Sequence, residues 1–415
     1  MERGGGGNRD WWEPHGGAVG VRGIDLFRGN QICVGWGIVG ERVGLEWDVM
    51  RRLSDEYPLT ELPGGKGRGA IGNPKNRFVQ LEVLRDAESE EAEGPGPRTV
   101  FFNDKTRKII TTNDSPDVGF EASINPYRGC EHGCIYCFAR PTHEYLGFSA
   151  GLDFESKIMV KMEAARLLRA ELASRRWKPK VLQMSGVTDC YQPVERRLKI
   201  TRGCLEVLAE FRNPVTVLTK NHLITRDIDL LRELAAHRAT AVMVSITTLQ
   251  KSLAMKMEPR TSVPGRRLEA VRMLAEAGIE VGVMAAPMIP GLNDQELPAI
   301  LAAAAEAGAR FAGYEALRLP WSVKELFESW LSRHFPDRKE KVLNRVREMR
   351  GGKLNDPNFG SRMRGEGIWA EQLKSMFQLA KRRAGITGHF PELSTAAFRR
   401  PDGPQMEMWA EQRGG

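Results

Sequence analysis

The stretch Tyr127-Arg-Gly-Cys-Glu-His-Gly-Cys-Ile-Tyr-Cys-Phe138 decides the reading of this chain. It sets Cys130, Cys134 and Cys137 in a C-x3-C-x2-C spacing, with the aromatic Tyr136 directly before the last cysteine. Three thiolates on one short loop can each hold one iron of a cubic four-iron cluster, which leaves the fourth iron without a protein ligand. An open iron can bind and reduce a second molecule, which a fully ligated electron-transfer cluster cannot readily do. The competing reading is a structural zinc site, with His132 or His143 as a fourth ligand beside the three cysteines. Zinc sites of that kind divide their ligands into two separated pairs, and the sequence has no second C-x2-C and no H-x3-H. The cluster is the expected occupant.

Composition narrows the class. A chain of 415 residues with 41% apolar residues can build one large barrel-like domain with appendages. Of six cysteines, three form the motif, and Cys33, Cys190 and Cys204 are scattered, so a disulfide framework is not expected. The N-terminus, Met-Glu-Arg-Gly-Gly-Gly-Gly, lacks an apolar signal core, and no later run reaches the length of about 18 apolar residues that a membrane span needs. A soluble, reducing, cytoplasmic setting without a membrane partner is expected. The net charge of +8 is uneven: Arg318 to Arg400 holds 18 Lys and Arg against 9 Asp and Glu, which leaves the rest of the chain near −1. Such a region faces either a polyanion such as DNA or RNA, or simply water as a solvated helical surface.

Four segments follow from composition. Residues 1–63 read as a poorly ordered extension, with a weak hairpin over Gln31 to Trp47, or as an overlong start with translation beginning nearer Met50. Residues 64–118 are a basic, glycine-rich arm, Gly64 to Phe78, followed by a linker, Glu88 to Pro97. The arm is no phosphate-binding P-loop, because no G-K-[ST] follows at the required spacing. Residues 119–320 alternate strand-like and helical stretches. Residues 321–415 read as a basic, mostly helical cap and tail, with helices over Val323 to His334 and Ile368 to Arg383 and a Gly- and Arg-rich loop over Asn355 to Gly367.

Within 119–320 the expected strands are Phe120 to Asn125, Lys180 to Ser185, Val215 to Thr219, Ala241 to Ile246, Glu280 to Ala285 and Arg310 to Leu317. The intervening helices are Leu152 to Arg176, Val194 to Phe211, Ile228 to Ala236, Arg266 to Ala277 and Asp294 to Ala307, two of them closed by Gly278 and Gly308. Six β/α repeats imply an α/β fold with a parallel sheet and right-handed crossovers, a partial (β/α)6 TIM-like barrel. The site is then expected at the C-terminal strand ends.

The motif and its setting resemble the radical S-adenosylmethionine (SAM) enzymes across residues 119–320. The order of strand ends, with the tail Asn355-Asp-Pro-Asn-Phe-Gly-Ser-Arg-Met-Arg-Gly365, resembles a bacterial group in the branch related to spore photoproduct lyase. The resemblance implies a 4Fe-4S cluster on Cys130, Cys134 and Cys137. It also implies SAM chelated by the open iron, one-electron cleavage to methionine and a 5′-deoxyadenosyl radical, and an electron donor such as flavodoxin or ferredoxin. Tyr136 matches the aromatic beside the adenine. Ser185 and Gly186 stand where many members have a Gly-Gly-Glu segment that receives the SAM ammonium; the acid is missing here, and Asp189 is its possible substitute. Lys220 and Ser245 match strand-end positions that hold the SAM carboxylate or ribose, against the plainer readings of an exposed lysine and a strand cap.

Cys190 and Tyr191 are candidate hydrogen-atom donors, although an isolated cysteine is more often a small core residue. Arg260 is read as a phosphate contact or a loop ion pair, and His143 and His222 as hydrogen-bonding residues. Arg362 and Arg364 are the expected polyanion contacts, the alternative being that they tie the cap to the barrel. Three functions stand at this point: a radical SAM lyase or repair-like enzyme acting on nucleic acid, a radical SAM enzyme modifying a peptide or small molecule, and a zinc-stabilised nucleic-acid-binding module.

Overall fold

A computed structural model describes residues 67–70, 72–74, 76–78 and 98–401. The chain divides into two units, Met1–Thr60 with Glu82–Leu84 and Glu61–Leu81 with Arg85–Gly415, and every described residue belongs to the second. The expected N-terminal extension, its hairpin and the linker from Glu88 lie outside the described residues.

In chain order the strands are β1 (Val100–Asn103), β2 (Ile110–Thr112), β3 (Ala122–Ile124), β4 (Tyr127–Arg128), β5 (Lys157–Val160), β6 (Leu182–Met184), β7 (Val215–Thr219), β8 (Thr240–Ser245), β9 (Val281–Met288) and β10 (Phe311–Ala316). Seven of them form one sheet in the order β10-β9-β8-β7-β6-β3-β2. Every pairing from β3 to β10 is parallel, and β2 adds an antiparallel edge. Six parallel strands in sequence order, each joined to the next through helix, form the partial barrel that the repeat pattern predicts.

The crossovers carry α1 (Leu152–Ser156) and α2 (Ala164–Ala173), α3 (Glu195–Leu198) and α4 (Ile200–Phe211), α5 (Ile228–Ala235), α6 (Lys251–Met257) and α7 (Pro264–Glu276), and α8 (Leu297–Glu306). Helix α7 starts on a proline, whose fixed φ suits a first helical position. It stops at Gly278, whose φ of +75° lets Ile279 N bond back to Leu274 O at 3.1 Å. The sheet's apolar side chains, such as Val242, Val244, Val281 and Val283, form one core with the inward faces of these helices. A second core lies between the cysteine loop and the cap helices α9 (Val323–His334) and α10 (Lys339–Met349). In it Ile135, Met257, Leu317, Phe327 and Trp330 come together. The last helix is α11 (Gly367–Arg383).

Two helix expectations need correction. Leu152 to Arg176 is not one helix: β5 interrupts it and pairs with β1 and β4 in a separate three-stranded sheet. Ile158 and Val160 there alternate with half-exposed neighbours, a strand pattern that pairing partners far away in sequence select. Val194 to Phe211 breaks at Lys199, which has φ of +55°. The buried Glu195 carboxylate turns back at the break and accepts from Thr201 N at 3.0 Å, capping the start of α4.

The described part of the glycine-rich stretch is no loose arm. Gly69 N and Ala70 N donate to the Glu155 carboxylate at 3.0 and 2.7 Å, and Arg68 Nη1 donates to Glu155 O at 2.8 Å. Glu155 also pairs with the fully buried Arg140 at 2.6 Å, and Arg140 donates to Cys134 O at 2.9 Å. Glu155→Ala would strand a buried guanidinium and orphan two amides. It should destabilise the cluster-free protein by about 3–5 kcal/mol in urea unfolding; a loss below about 1 kcal/mol would contradict this account.

Candidate functional site at the C-terminal strand ends

Cys130, Cys134 and Cys137 lie on one loop between β4 and the short 3-10 helix Arg140–Leu146. All three are free thiols. The backbone fixes the loop at both ends and in its middle: Cys130 N donates to Phe154 O at 2.9 Å, Cys137 N to Cys134 O at 3.2 Å, and Ile135 N to Met257 O at 2.9 Å. Burial pushes all three thiols up, and the nearness of the other thiols adds to this for Cys130 and Cys134. Such a set releases protons when it binds a cationic cluster. Three free thiols held on one loop fit three irons of a cluster.

Among the described residues no three or more His, Cys, Asp or Glu side chains converge to hold a single metal ion. His132 is held at both ring nitrogens, and His143 is held at Nε2 with its Nδ1 buried and unpartnered. His132 Nδ1 lies 3.3 Å from Asp189 and its Nε2 lies 3.2 Å from Asn221, while His143 Nε2 meets Lys157 O at 2.9 Å.

Asp189, expected to receive an ammonium, is instead a structural hub. Its Oδ1 accepts from Tyr191 N at 2.9 Å and Thr219 Oγ1 at 2.8 Å, and its Oδ2 accepts from Lys220 N at 2.8 Å and faces His132. A carboxylate has about four acceptor positions, and these four groups fill them. Burial alone would raise this carboxyl, but the His132 ring and the Lys220 and Tyr191 amides outweigh it and hold its pKa at about 2. Asp189 thus ties the cysteine loop to the ends of β6 and β7. Ser185 stands beside it with φ of +71°, and its Oγ accepts from Cys190 N at 2.8 Å. Gly186 passes so close to Ser123 that a Cβ would lie 3.1 Å from the serine Cβ.

Lys220 and Ser245 meet at the ends of β7 and β8: Lys220 Nζ donates to Ser245 Oγ at 2.9 Å and lies 5.9 Å from the Tyr136 ring centre. No carboxylate lies within ion-pair distance of Lys220 among the described residues. The Tyr136 hydroxyl is buried and donates to Glu258. Thr247 also donates to Glu258, and Arg267 pairs with it at 2.7 Å. Burial opposes the charge on Glu258, yet Arg267 and Lys220, with these hydrogen bonds, hold its pKa below the usual range. Sequence reasoning did not assign Glu258 or Arg267 to the site. The signal available was an acidic residue directly after α6, followed by an arginine inside an otherwise apolar helical face.

The remaining expectations fall on both sides. Cys190 and Tyr191 are 0% exposed and belong to the main core. The tyrosine hydroxyl is taken up by Asp227 at 3.1 Å, so the structure gives both residues packing roles and no opening toward a substrate. Arg260 forms an ion pair with Glu131 at 3.1 Å rather than with the nearby Glu258, whose partner is Arg267. Arg362 is 2% exposed and pairs with Asp117 at 2.5 Å, and Arg364 stacks on Tyr314 at 3.8 Å. Arg362 therefore fastens the cap loop to the segment before β3, the plainer of its two readings. A different basic cluster surrounds a cavity of about 260 Å³, formed by Arg196, His222, Arg226 and Arg266 with Asn221 and Ser262 on the segments that follow β6, β7 and β8; Arg226 is paired there with Glu195 and Asp227, and Arg266 with Glu269.

The radical SAM superfamily model matches residues 124–304. An uncharacterized protein of Mycobacterium tuberculosis (strain H37Rv) is 36% identical over 288 residues, 69% of this chain and 83% of the relative. An uncharacterized protein of Methanocaldococcus jannaschii is 28% identical over 242 residues, covering 58% of this chain and 86% of its own. Among solved structures, a spore photoproduct lyase variant with bound AdoMet and dinucleoside spore photoproduct superposes with a TM-score of 0.50 at 18% identity. That match covers 69% of this chain and 79% of the other, a likeness of fold. The chain belongs to the radical SAM superfamily, whose 4Fe-4S cluster and S-adenosylmethionine are its cofactors.

Proposed function

We propose that Cys130, Cys134 and Cys137 hold the cluster, that Lys220 and Ser245 hold the polar end of SAM, and that the radical so formed acts on a nucleic acid in a lyase or repair-like reaction. The observation that carries the SAM site is Lys220. It is a cation at a strand end that makes no ion pair among the described residues, donates to a serine hydroxyl and lies 5.9 Å from the ring centre of the tyrosine of the cysteine loop, with the Glu258 carboxylate near enough to feel its charge. A carboxylate supplies what that ammonium lacks. The chemistry that a bound cluster supplies is one-electron cleavage of SAM to methionine and a 5′-deoxyadenosyl radical.

The chain's own residues bind and orient. Tyr136 is held rigid by Glu258, so its ring offers a fixed flat wall beside Lys220. Asp189 fixes the Lys220 backbone and thereby the reach of its side chain. The cysteine loop packs against the second core, with Cys130 and Cys134 buried and Cys137 half-buried. The electron comes from a protein donor such as a flavodoxin or ferredoxin.

The basic cavity between the ends of β6 and β8 supports the nucleic-acid substrate, because Asn221 belongs both to its wall and to the contact with His132 of the cysteine loop. Guanidinium groups on one rim of a site suit phosphates. A peptide or small-molecule substrate needs no such rim.

Three measurements test the reading. Anaerobically reconstituted protein should hold about four irons per chain. Alanine at Cys130, Cys134 or Cys137 should abolish that content, and alanine at Cys204 should not; stoichiometric zinc without a brown chromophore would refute it. Lys220→Ala should weaken SAM binding by about 1.5–3 kcal/mol in calorimetry, the scale of a charged hydrogen bond, and an unchanged affinity removes Lys220 from the site. Replacing both Arg196 and Arg266 with Ala should lower the slope of log affinity against log salt for single-stranded DNA by about 1 to 2. A flat titration of the unaltered protein at low salt would end the nucleic-acid reading.

A further inference from the structure

Arg318 follows β10 by two residues, and its position is fixed because Leu317 N donates to Met288 O at 3.0 Å and Leu317 O accepts from Arg350 at 2.9 Å. The neighbouring arginines are held by several partners, although Arg350 Nε is buried without one. Arg350 donates to four carbonyls, those of Ala316, Leu317, Ser361 and Arg362, at 2.7 to 3.2 Å. Arg362 donates to Asp117 and Ser115. Arg318 differs. Its guanidinium carbon lies 4.6 Å from the ring centre of Phe138, the residue after Cys137. Among the described residues it makes no hydrogen bond, and no carboxylate lies within ion-pair distance of it.

A guanidinium carries five N–H donors in a fork that matches the oxygens of a phosphate or carboxylate. Arg318 is half-buried, and burial pushes its pKa below the usual range, against the pull of Glu315, Asp117 and Cys137. Donors that no described group occupies stay available to an incoming oxyanion, which a guanidinium binds through charge-assisted hydrogen bonds. The position is also apart from the cation read as the SAM anchor. Lys220 ends the third parallel strand and Arg318 follows the sixth, and the cysteine loop lies near both: Lys220 acts on the Cys137 thiol, and Cys137 acts on Arg318. Two separated cations at the open end of one sheet suit two separate anions.

We propose that Arg318 is an oxyanion-binding residue of the substrate site, which takes a phosphate of the substrate beside Phe138 and so places the substrate next to the cysteine loop. The identity of that phosphate as part of a nucleic acid rests on the functional reading above; the oxyanion site itself does not. The rival role for Arg318 is to offset the charge of the cysteine thiolates, with no contact to substrate.

Calorimetry on the reconstituted, SAM-loaded full chain separates these roles, with inorganic phosphate, thymidylyl-(3′→5′)-thymidine and the neutral methylphosphonate analogue of that dinucleotide as probes. Arg318→Gln should weaken phosphate and the charged dinucleotide by at least about tenfold, the least that a charged hydrogen bond contributes, and Arg318→Lys should keep part of the affinity. The unaltered protein should prefer the charged dinucleotide over the neutral one, and Arg318→Gln should not distinguish them. Iron content and SAM affinity should stay as they were. Phosphate binding that is absent from the unaltered protein, or equal in Arg318→Gln, overturns the proposal. So does a loss confined to iron content or SAM affinity. Phosphate held through Arg318 while both dinucleotides bind equally poorly keeps the oxyanion site and removes the nucleic-acid reading.

Discussion

Inside the cysteine loop, Arg140 and Glu155 meet at 2.6 Å with both side chains wholly out of solvent. Neither charge is tolerable there alone, since a buried ion without its partner costs several kcal/mol. The pair is completed on both sides. Glu155 takes two amides from residues 69 and 70, and Arg140 gives its remaining donors to the carbonyls of Cys134, Ala150 and Gly151. The loop's shape is thus set by satisfied polar groups within an apolar shell. That arrangement specifies one geometry more sharply than apolar packing would.

A second layer of buried charge operates above it. Glu258, Asp189 and Asp117 each sit in the folded chain with an arginine or histidine partner, and each joins segments far apart in sequence. Glu258 joins Tyr136 to α7 through Arg267, Asp189 joins His132 to β7, and Asp117 joins the segment before β3 to the cap loop. The last contact closes the open side of the sheet, helped by Ala316 N donating to Met363 O at 3.0 Å. Of the basic residues of the C-terminal region, Arg362 forms this ion pair and Arg350 holds the carbonyls of the same loop.

The parallel sheet was legible because its strands are local patterns. Val215–Thr219 and Val323–His334 stand where apolar periodicity and turn residues put them. The cysteine motif was legible for the same reason, as its three donors lie within eight residues. What was hidden depends on distant partners. Nothing near Lys157 announces that β1 will pair with it, and nothing near Arg362 announces Asp117, some 245 positions earlier. The short segment Asp189-Cys-Tyr191 misled for a related reason. Lying after a strand end, it suggested exposure to the site, yet the chain turns there and drives Cys190 and Tyr191 into the core.

The contact between residues 69 and 133 bears on where this fold can be cut. A Cβ on Gly69 would fall 1.7 Å from Gly133 O, so the two backbones lie against each other with no side chain between them. The stretch that recognisably matches the superfamily begins only at residue 124 and ends at 304. A fragment trimmed to those limits would lose the amides that hold Glu155, the aspartate that holds Arg362 and the whole of β10. The unit that folds is therefore longer than the unit that is recognisable. Its added parts are the pieces that cover the cysteine loop on one side and close the sheet on the other.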